Sequence, residues 1–157
     1  MRQIILAPAG RQRFNVLGAL NAITHELIIV TNDAYINADS VCDLLRLIAA
    51  RGITVPITLI LDNARYQKCQ LVTGLANTLG IELLYLPTYS PNLNLIERLW
   101  KFVKNECLNS TYYKDFTLFK SAITNCLAQT ETKHKAALDS LLTLNFQTFK
   151  KSRVLAR

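Results

Sequence analysis

Asp62 and Glu97 are two acidic side chains in settings that could support chemistry. Asp62 ends the apolar run ITLILD and is followed by Asn63, so two polar groups stand where a buried strand leaves the core. Ligand and active sites of open α/β sheets gather at the carboxyl ends of their strands, and a carboxylate there is well placed to act. The alternative is a plain Asp-Asn turn, which is common after a strand.

The helix that carries Glu97 has a polar face. At 100° per residue, Asn94, Lys101 and Lys104 project to the same side as Glu97. A solvated face with a stabilising Glu97–Lys101 pair would explain these charges. A generic surface helix would not, however, require the particular succession of residues YLPTYSPNLNLIERLW around Glu97. Trp100 is expected in the core or in a groove wall rather than as a stacking platform. The opposite, buried face is expected to hold Ile96, Leu99, Phe102 and Val103.

Alternating strands and helices must position these side chains. The pattern β-β-α-β-α-β-α-α predicts a mixed α/β sheet flanked by helices, with the first two strands as an antiparallel hairpin. Asn37 or Asp39 is expected to cap the first helix, and Ser90 with Pro91 to open the helix of Glu97. The predicted strands are 12–20, 26–31, 57–63 and 82–86, and the predicted helices are about 37–51, 65–79, 90–108, 116–130 and 132–142.

The net charge of +7 is unevenly distributed. Residues 1–97 hold seven basic and seven acidic side chains, whereas residues 98–157 hold eleven basic and four acidic ones. A basic segment on a neutral body indicates a polyanionic partner, nucleic acid before membrane. A mildly basic protein without such a partner is the alternative.

Several protein classes do not fit the sequence. No apolar run reaches the roughly 18–20 residues that span a bilayer, and MRQIILAPAG does not resemble a signal peptide, so we expect a cytoplasmic protein. No G-x-G-x-x-G or G-x-x-x-x-G-K-[ST] loop follows a strand, which argues against a nucleotide-binding protein. The four cysteines are widely spaced, which predicts reduced thiols and no zinc site.

Two separated motifs resemble the catalytic core of the bacterial insertion-sequence transposases of the mariner superfamily. The first is ILDNARYQKCQLV, which contains Asp62, and the second is YLPTYSPNLNLIERLWKFVKNE, which contains Glu97. The 34 residues between the two carboxylates match the spacing of the last two members of that family's D, D, E triad. The segment NVLGAL at 15–20 resembles the family's second strand, and the resemblance covers about residues 11–125.

The resemblance implies an RNase H-like mixed sheet flanked by helices and a DNA-cutting activity. It makes Asp62 and Glu97 catalytic residues and ligands of Mg²⁺ or Mn²⁺, two ions in the complete enzyme, with Asn63 and Asn94 orienting the ligands. Three carboxylates can hold two ions about 4 Å apart, which serve the attacking and the leaving oxygen of a phosphodiester. The implied partner is double-stranded DNA, at transposon ends and target. DNA contacts are expected from Lys101, Lys104, Arg65, Lys68 and Arg98.

The family's first Asp has no counterpart in this sequence. That Asp lies on the first, central strand of the fold, and no acidic residue precedes NVLGAL here. We therefore expect residues 1–157 to be a partial catalytic domain truncated at its N-terminus, with a core at about 11–125 and a basic helical extension at 126–157. Without the central strand, the hairpin and the Asp62 strand would each lose a partner at a sheet edge. Gln67 is a second departure, because the family often has His there.

Two function hypotheses follow from the resemblance. The first is the C-terminal part of a transposase that cleaves DNA and transfers strands, inactive alone and completed by an upstream transposase part or by self-association. The second is a non-catalytic fragment that binds DNA or transposase subunits and modulates transposition. Both hypotheses place the protein in the cytoplasm, at the nucleoid, and away from membranes.

Overall fold

The computed structural model of the protein describes residues 13–88, 90, 93–108 and 115–144, and the backbone of residues 2–6. None of the helices in these ranges is long and apolar enough to cross a membrane. The strands are β1 (Arg2–Leu6), β2 (Arg13–Leu20), β3 (Leu27–Asn32), β4 (Ile57–Leu61) and β5 (Ile81–Tyr85). The helices are α1 (Ala38–Ala49), α2 (Gln70–Leu79), α3 (Ile96–Val103), α4 (Phe116–Ala128) and α5 (Lys135–Leu141).

The strands form two small sheets. β1, β2 and β3 make an antiparallel meander in which Arg2 lies opposite Leu17 and Leu20 lies opposite Leu27. β4 and β5 are parallel, and within the described residues no ladder joins the two sheets. The predicted fold class, a mixed α/β fold with strands flanked by helices, is confirmed. β1 is an addition, because the sequence pattern gave no strand before residue 12.

Helices cover both faces of β2. Side chains alternate along a strand, so Phe14 and Val16 face one hydrophobic cluster while Leu17 and Ala19 face the other. The first cluster packs α3, α4 and α5 on the meander. The second packs α1 on β2 and β3, packs α2 on α1 and β5, and includes Leu59 and Leu61 of β4. β2 is therefore the element that both cores share.

Two helix ends follow the predicted capping chemistry. Asn37 caps α1, because its side chain accepts from the backbone N–H of Ser40 while the Ser40 hydroxyl receives the N–H of Asn37. Gly80 ends α2 with φ at +72°, a left-handed conformation that glycine adopts without a steric penalty. These caps set where α1 begins and where α2 ends.

The predicted helix over 65–79 is interrupted. Residues Arg65–Gln67 form a 3₁₀ turn, and α2 begins only at Gln70. The Tyr85 hydroxyl donates to the backbone carbonyl of Gln67 at 2.5 Å, so this carbonyl is already engaged by a side chain from the next strand. A continuous helix would need the same carbonyl for the N–H four residues later.

The helix of Glu97 begins later than predicted. α3 starts at Ile96 with Leu95 at its cap position, whereas Ser90 accepts the N–H of Leu93 through its backbone carbonyl, in a turn. Ser90 is therefore not the cap of the α-helix, and Pro91 lies outside the described residues. After Val103 the chain continues as a π-helical turn over Lys104–Leu108 rather than as regular α-helix.

α3 packs closely against β2 through Trp100. The indole is 2 % exposed, which confirms the expected core position. On the predicted buried face Ile96, Leu99 and Val103 are buried as well, whereas Phe102 is only partly buried. A Cβ placed on Gly18 would lie 3.0 Å from Trp100 Cη2 and 3.2 Å from Ile96 Cδ1. Glycine at 18 therefore allows the helix of Glu97 to approach the central strand of the meander.

The cysteines are only partly as predicted. Cys42 and Cys69 are free thiols, and burial raises the pKa of Cys42. Cys126, which is buried on α4, is disulfide-bonded. The prediction of reduced thiols is therefore wrong for Cys126, since spacing along the chain does not show which side chains meet in space.

A small ionic cluster attaches α5 to the turn between β2 and β3. Asp139 accepts from His25 Nδ1 at 2.8 Å and from Lys135 Nζ at 3.1 Å. The hydrogen bond from His25 and, to a smaller extent, the one from Lys135 lower the pKa of Asp139 below its usual 3.8. The charged form of Asp139 is therefore favoured by folding.

Asp139→Asn is expected to flatten the pH dependence of stability in acid. Because folding lowers the pKa, the stabilisation is present above the ordinary value of 3.8 and is lost as the pH falls through the folded-state value. Urea midpoints between about pH 6 and pH 2 measure this effect. Glu131→Gln, on an exposed turn, is the control. A wild-type and an Asp139→Asn profile that stay parallel would contradict the assignment.

Candidate active site

The C-terminal edge of the β4–β5 sheet carries the predicted acidic residue. Asp62 comes directly after the last residue of β4, and its side chain is half-buried. Its Oδ1 atom is buried and has no hydrogen-bond partner among the described residues. An unpaired buried carboxylate oxygen is costly, so this atom is the strongest single indication that the edge binds a ligand.

A cavity of about 220 Å³ opens beside Asp62. Two loops meet there, the one that follows β4 and the one that follows β5, and the backbone N–H of Leu86 bonds the carbonyl of Leu61 at 2.7 Å to hold them together. The second loop leads directly into α3 and Glu97. The lining consists of Asp62, Asn63, Ala64, Leu86, Pro87, Thr88 and Ser90.

Asn63 connects the two loops. Its amide donates to the hydroxyl of Thr88 at 3.4 Å, and the hydroxyl of Ser90 donates to the carbonyl of Thr88 at 3.5 Å. The structure therefore places Asn63 beside Asp62 but directs its amide towards the loop after β5. Thr88 is a participant that the sequence did not single out, because a threonine in a loop carries no pattern of its own.

Glu97 lies on the first turn of α3. It is half-buried, and its backbone N–H bonds the carbonyl of Asn94 at 3.1 Å. A carboxylate in the first turn interacts favourably with the positive end of the helix dipole. Glu97 is not part of the lining of the Asp62 cavity, so the convergence of the two carboxylates on one ion stays a prediction.

Asn94 does not share a solvated face with Glu97. It is only 7 % exposed and precedes α3 rather than belonging to it, and its Nδ2 atom is buried without a hydrogen-bond partner. The expectation of a polar face is wrong at this position, because the helical spacing used to derive it starts only at Ile96. Its side chain lines a different, larger cavity between the two sheets.

Four of the five predicted DNA-contacting cations are exposed. Lys101 and Lys104 project from α3 and the turn after it, and Arg65 and Lys68 follow Asp62 along the chain. The Lys68 ammonium lies 5.5 Å from the centroid of the Tyr85 ring. These positions leave the cations accessible to a polyanion on either side of the candidate site.

Arg98 has a structural contact that the sequence did not reveal. Its Nη1 atom donates to the carbonyl of Thr143 at 2.7 Å and to that of Leu141 at 3.4 Å. Both carbonyls lie at the C-terminal end of α5, where a cation is favourable. A contact between residues more than forty positions apart cannot be read from local spacing.

Gln67 is a buried polar residue close to the site. It is fully buried, and its Oε1 atom has no hydrogen-bond partner among the described residues. Burial, and to a smaller extent the nearby Cys69 thiol, raise the pKa of Tyr85, so its hydroxyl remains a donor to Gln67 near neutral pH. This pair holds the segment after Asp62 against β5.

The residues at the Asp62 edge supply part of the ligand set that a divalent cation needs. Mg²⁺ and Mn²⁺ prefer carboxylate oxygens and water, and the unpaired Asp62 Oδ1 is such a donor. Within the ranges that the structure describes, no group of three His, Cys, Asp or Glu side chains is placed to hold a metal. Asp62 therefore offers one of the several oxygen ligands that such a site takes, and the contribution of Glu97 stays a prediction.

The chain is similar to proteins of known families. The family model described as DDE superfamily endonuclease matches residues 2–120. The insertion element IS630 uncharacterized 39 kDa protein of Shigella sonnei is 30 % identical over 98 residues, which are 62 % of this chain and 29 % of that protein. The chain thus spans less than a third of the length of this curated relative.

Solved structures share the fold. The catalytic domain of Mos1 transposase, determined with raltegravir and Mg, superposes with a TM-score of 0.62 at 17 % identity, over 82 % of this chain and 68 % of that one. The catalytic core domain of BIV integrase gives a TM-score of 0.57 at 16 % identity, over 84 % and 82 %. With the family match over more than half of its residues, the chain belongs to the DDE superfamily endonucleases.

Proposed function

We propose that this chain is the C-terminal part of a transposase that cleaves DNA and transfers strands with the help of divalent metal ions. The observation that carries the proposal is the buried, unpaired Oδ1 of Asp62 at the C-terminal edge of β4. It faces a cavity whose other wall is the loop leading to Glu97. The substrate is double-stranded DNA, at the transposon ends and at the target, which places the action at the cytoplasmic nucleoid.

Asp62 and Glu97 would hold the ions, Mg²⁺ or Mn²⁺, two in the complete enzyme. When bound, such ions activate the attacking oxygen and stabilise the leaving oxygen of the phosphodiester. Asn63 and Thr88 contribute by tying the loop that begins at Asp62 to the loop that leads towards α3 and Glu97, through their hydrogen bond at 3.4 Å. Asn94 supports the start of α3, since its carbonyl accepts the N–H of Glu97.

A third carboxylate is needed for the full reaction. The D, D, E pattern has a first Asp that no residue of this sequence matches, and no acidic residue precedes Asn15. We propose that the chain is inactive alone and that an upstream transposase part, or association with such a chain, supplies this residue. The chain would then provide two of the three metal-binding carboxylates.

The proposal is tested with a completed chain. The completed chain is a chimaera of two parts. The part of the Shigella sonnei IS630 protein that precedes the residues matched by this chain is fused to the N-terminus of this chain. We expect Mg²⁺-dependent nicking of supercoiled plasmid by the completed chain and none by residues 1–157 alone. A completed chain that binds the plasmid but never nicks it, with either Mg²⁺ or Mn²⁺, would contradict the catalytic assignment.

A second candidate function is a DNA-binding fragment without catalysis that modulates transposition. The excess of basic over acidic residues lies entirely after Glu97, and Lys101 and Lys104 are exposed there. This function requires binding to DNA or to transposase subunits but no metal. Salt-dependent binding without nicking by the completed chain would favour it.

Lys101→Ala and Lys104→Ala are each expected to weaken DNA binding, by a similar factor whatever the sequence of the DNA. A lysine that neutralises one phosphate contributes about 0.9 to the slope of log affinity against log salt concentration. Titrations of labelled duplex DNA at several salt concentrations measure this slope. Lys133→Ala, in the exposed turn before α5, is the matched control. Unchanged slopes for both Lys101→Ala and Lys104→Ala would show that these lysines do not contact DNA.

A further inference from the structure

The first turn of α3 carries Glu97 and has no side-chain cap. Leu95 occupies the cap position, and its side chain makes no capping hydrogen bond. Ile96, Leu99 and Trp100 are buried in the cluster that packs α3 on the meander. Apolar burial is non-directional, whereas a hydrogen bond depends on its angles. A hydrogen bond on another side of α3 would therefore add a restraint on the rotation of the helix.

Arg98 supplies such a bond one residue after Glu97. Its Nη1 atom donates to the carbonyl of Thr143 at 2.7 Å and to that of Leu141 at 3.4 Å. Hydrogen bonds from a charged donor are stronger than neutral ones, and the guanidinium is a planar, rigid group. Successive residues of a helix are about 100° apart, so these bonds act on α3 close to Glu97 and on a different side.

The helix that accepts these bonds is itself held in place. The last carbonyls of a helix have no intrahelical partner, so those at the end of α5 can accept from a side chain. Leu138 and Leu142 are buried in the same cluster as the apolar face of α3. Asp139 accepts from His25, in the turn between β2 and β3, at 2.8 Å. Arg98 therefore ties α3 to a helix that is fixed to the meander.

The contact of Arg98 differs from the phosphate contact that the sequence predicted. Arg98 is half-buried, whereas Lys101 on the same helix is exposed. Its Nη1 atom is already engaged by two protein carbonyls. This geometry favours a role within the protein over a contact with DNA.

We propose that Arg98 is a positioning residue, which fixes the rotation of α3 about its axis and thereby the place of the Glu97 carboxylate. The inference rests on the proposed function for the role of Glu97. A helix with its side chains is about 10–12 Å wide, so a rotation of about 10° moves a group at its surface by about 1 Å. A displacement of this size can lower the rate of catalysis about 10²-fold.

Arg98→Met in the completed chain tests this role. Methionine keeps part of the aliphatic stem but removes the charge and every N–H donor. We expect kcat for Mg²⁺-dependent nicking to fall about 10²-fold, while KM for the plasmid and the salt dependence of binding stay unchanged. A raised KM with a salt slope lower by about 0.9 would identify a phosphate contact and overturn the proposal. An unchanged kcat would overturn it as well.

Two further variants separate the hydrogen bonds from a general loss of stability. Arg98→Lys keeps a charged donor and should recover part of the kcat that Arg98→Met loses. Arg46→Met makes the same chemical change on α1, where Arg46 bonds Asp43 of its own helix, and should nick as the unmodified completed chain does. All rates are referred to the folded fraction, obtained from urea titrations. Equal kcat values for Arg98→Lys and Arg98→Met would contradict a role of the donated bonds.

The rotation of α3 is measured without DNA cleavage. In ¹⁵N-labelled residues 1–157, residual dipolar couplings of the backbone N–H groups report the orientation of each helix, including its rotation about its axis. We expect Arg98→Met to change the couplings of α3 and to leave those of α1 as they are. Unchanged couplings in α3 would overturn the inference even where nicking requires Glu97. Changed couplings with nicking that survives Glu97→Gln would uphold the tie to α5, while the proposed role of Glu97 fails.

Discussion

Asp62→Asn in the completed chain is expected to lower Mg²⁺-dependent DNA nicking by about 10³-fold or more. The substitution keeps the size of the side chain but removes the negative charge that a divalent cation requires. Glu97→Gln should have an effect of the same order, because the two carboxylates are proposed to act on the same reaction. Initial nicking rates of supercoiled plasmid at saturating Mg²⁺ measure both effects.

Glu82→Gln is the control for these two variants. Glu82 is an exposed carboxylate on β5 that accepts from the hydroxyl of Thr58 at 3.4 Å, and it does not line the Asp62 cavity. Its nicking rate should match that of the unmodified completed chain. Nicking that survives in both Asp62→Asn and Glu97→Gln would exclude the assigned catalytic pair.

Trp100→Ala is expected to destabilise the fold by about 3–5 kcal/mol. The indole is almost fully buried between α3 and β2, and Gly18 leaves the space that it fills. Its loss would open a cavity under the helix that carries Glu97. The free energy of unfolding, obtained from urea titrations followed by circular dichroism, measures the effect.

Trp100→Phe separates packing from hydrogen bonding. The indole Nε1 atom is buried and has no hydrogen-bond partner among the described residues, so phenylalanine removes no bond. We expect this variant to lose less stability than Trp100→Ala, because the phenyl ring fills part of the space of the indole and leaves a smaller cavity. An alanine variant as stable as the phenylalanine variant would show that α3 is not held by this contact.

Local pattern predicted the elements that surround Asp62. A continuous apolar run ending in Asp62 predicts a parallel strand that is buried on both faces. β4 is parallel to β5, but only Leu59 and Leu61 are buried, whereas Thr58 and Ile60 are exposed, so the predicted burial is wrong for one face. Gly80 and Asn37 marked helix ends through backbone chemistry that acts within a few residues. Such features are predictable because the interactions that determine them are themselves local.

Contacts between distant residues explain most of the differences. The carbonyl of Gln67 is engaged by Tyr85, eighteen residues away, which breaks the predicted helix at 65–79. Arg98 is directed to the end of α5 by carbonyls more than forty residues distant. Helical periodicity contains no information on such partners, so the 3₁₀ turn and the structural contact of Arg98 could not be predicted.

The cavity between the two sheets could not be predicted from the sequence pattern either. The resemblance predicted that two strand edges lack a partner, but not that β1 would pair with part of β2 and leave Gly18–Leu20 beside the cavity. It also did not predict that Asn94 would be buried there with an unpaired amide. These features depend on how the two sheets are packed relative to α3.

The most direct test is whether Asp62 and Glu97 bind the same ion. In ¹⁵N-labelled protein, Mn²⁺ broadens the amide signals of residues close to it. We predict that the signals of Asn63 and Glu97 broaden together at the same Mn²⁺ concentration, and that Asp62→Asn abolishes both effects. Broadening of only one of the two signals, or broadening that Asp62→Asn does not change, would contradict the assignment of a shared metal site.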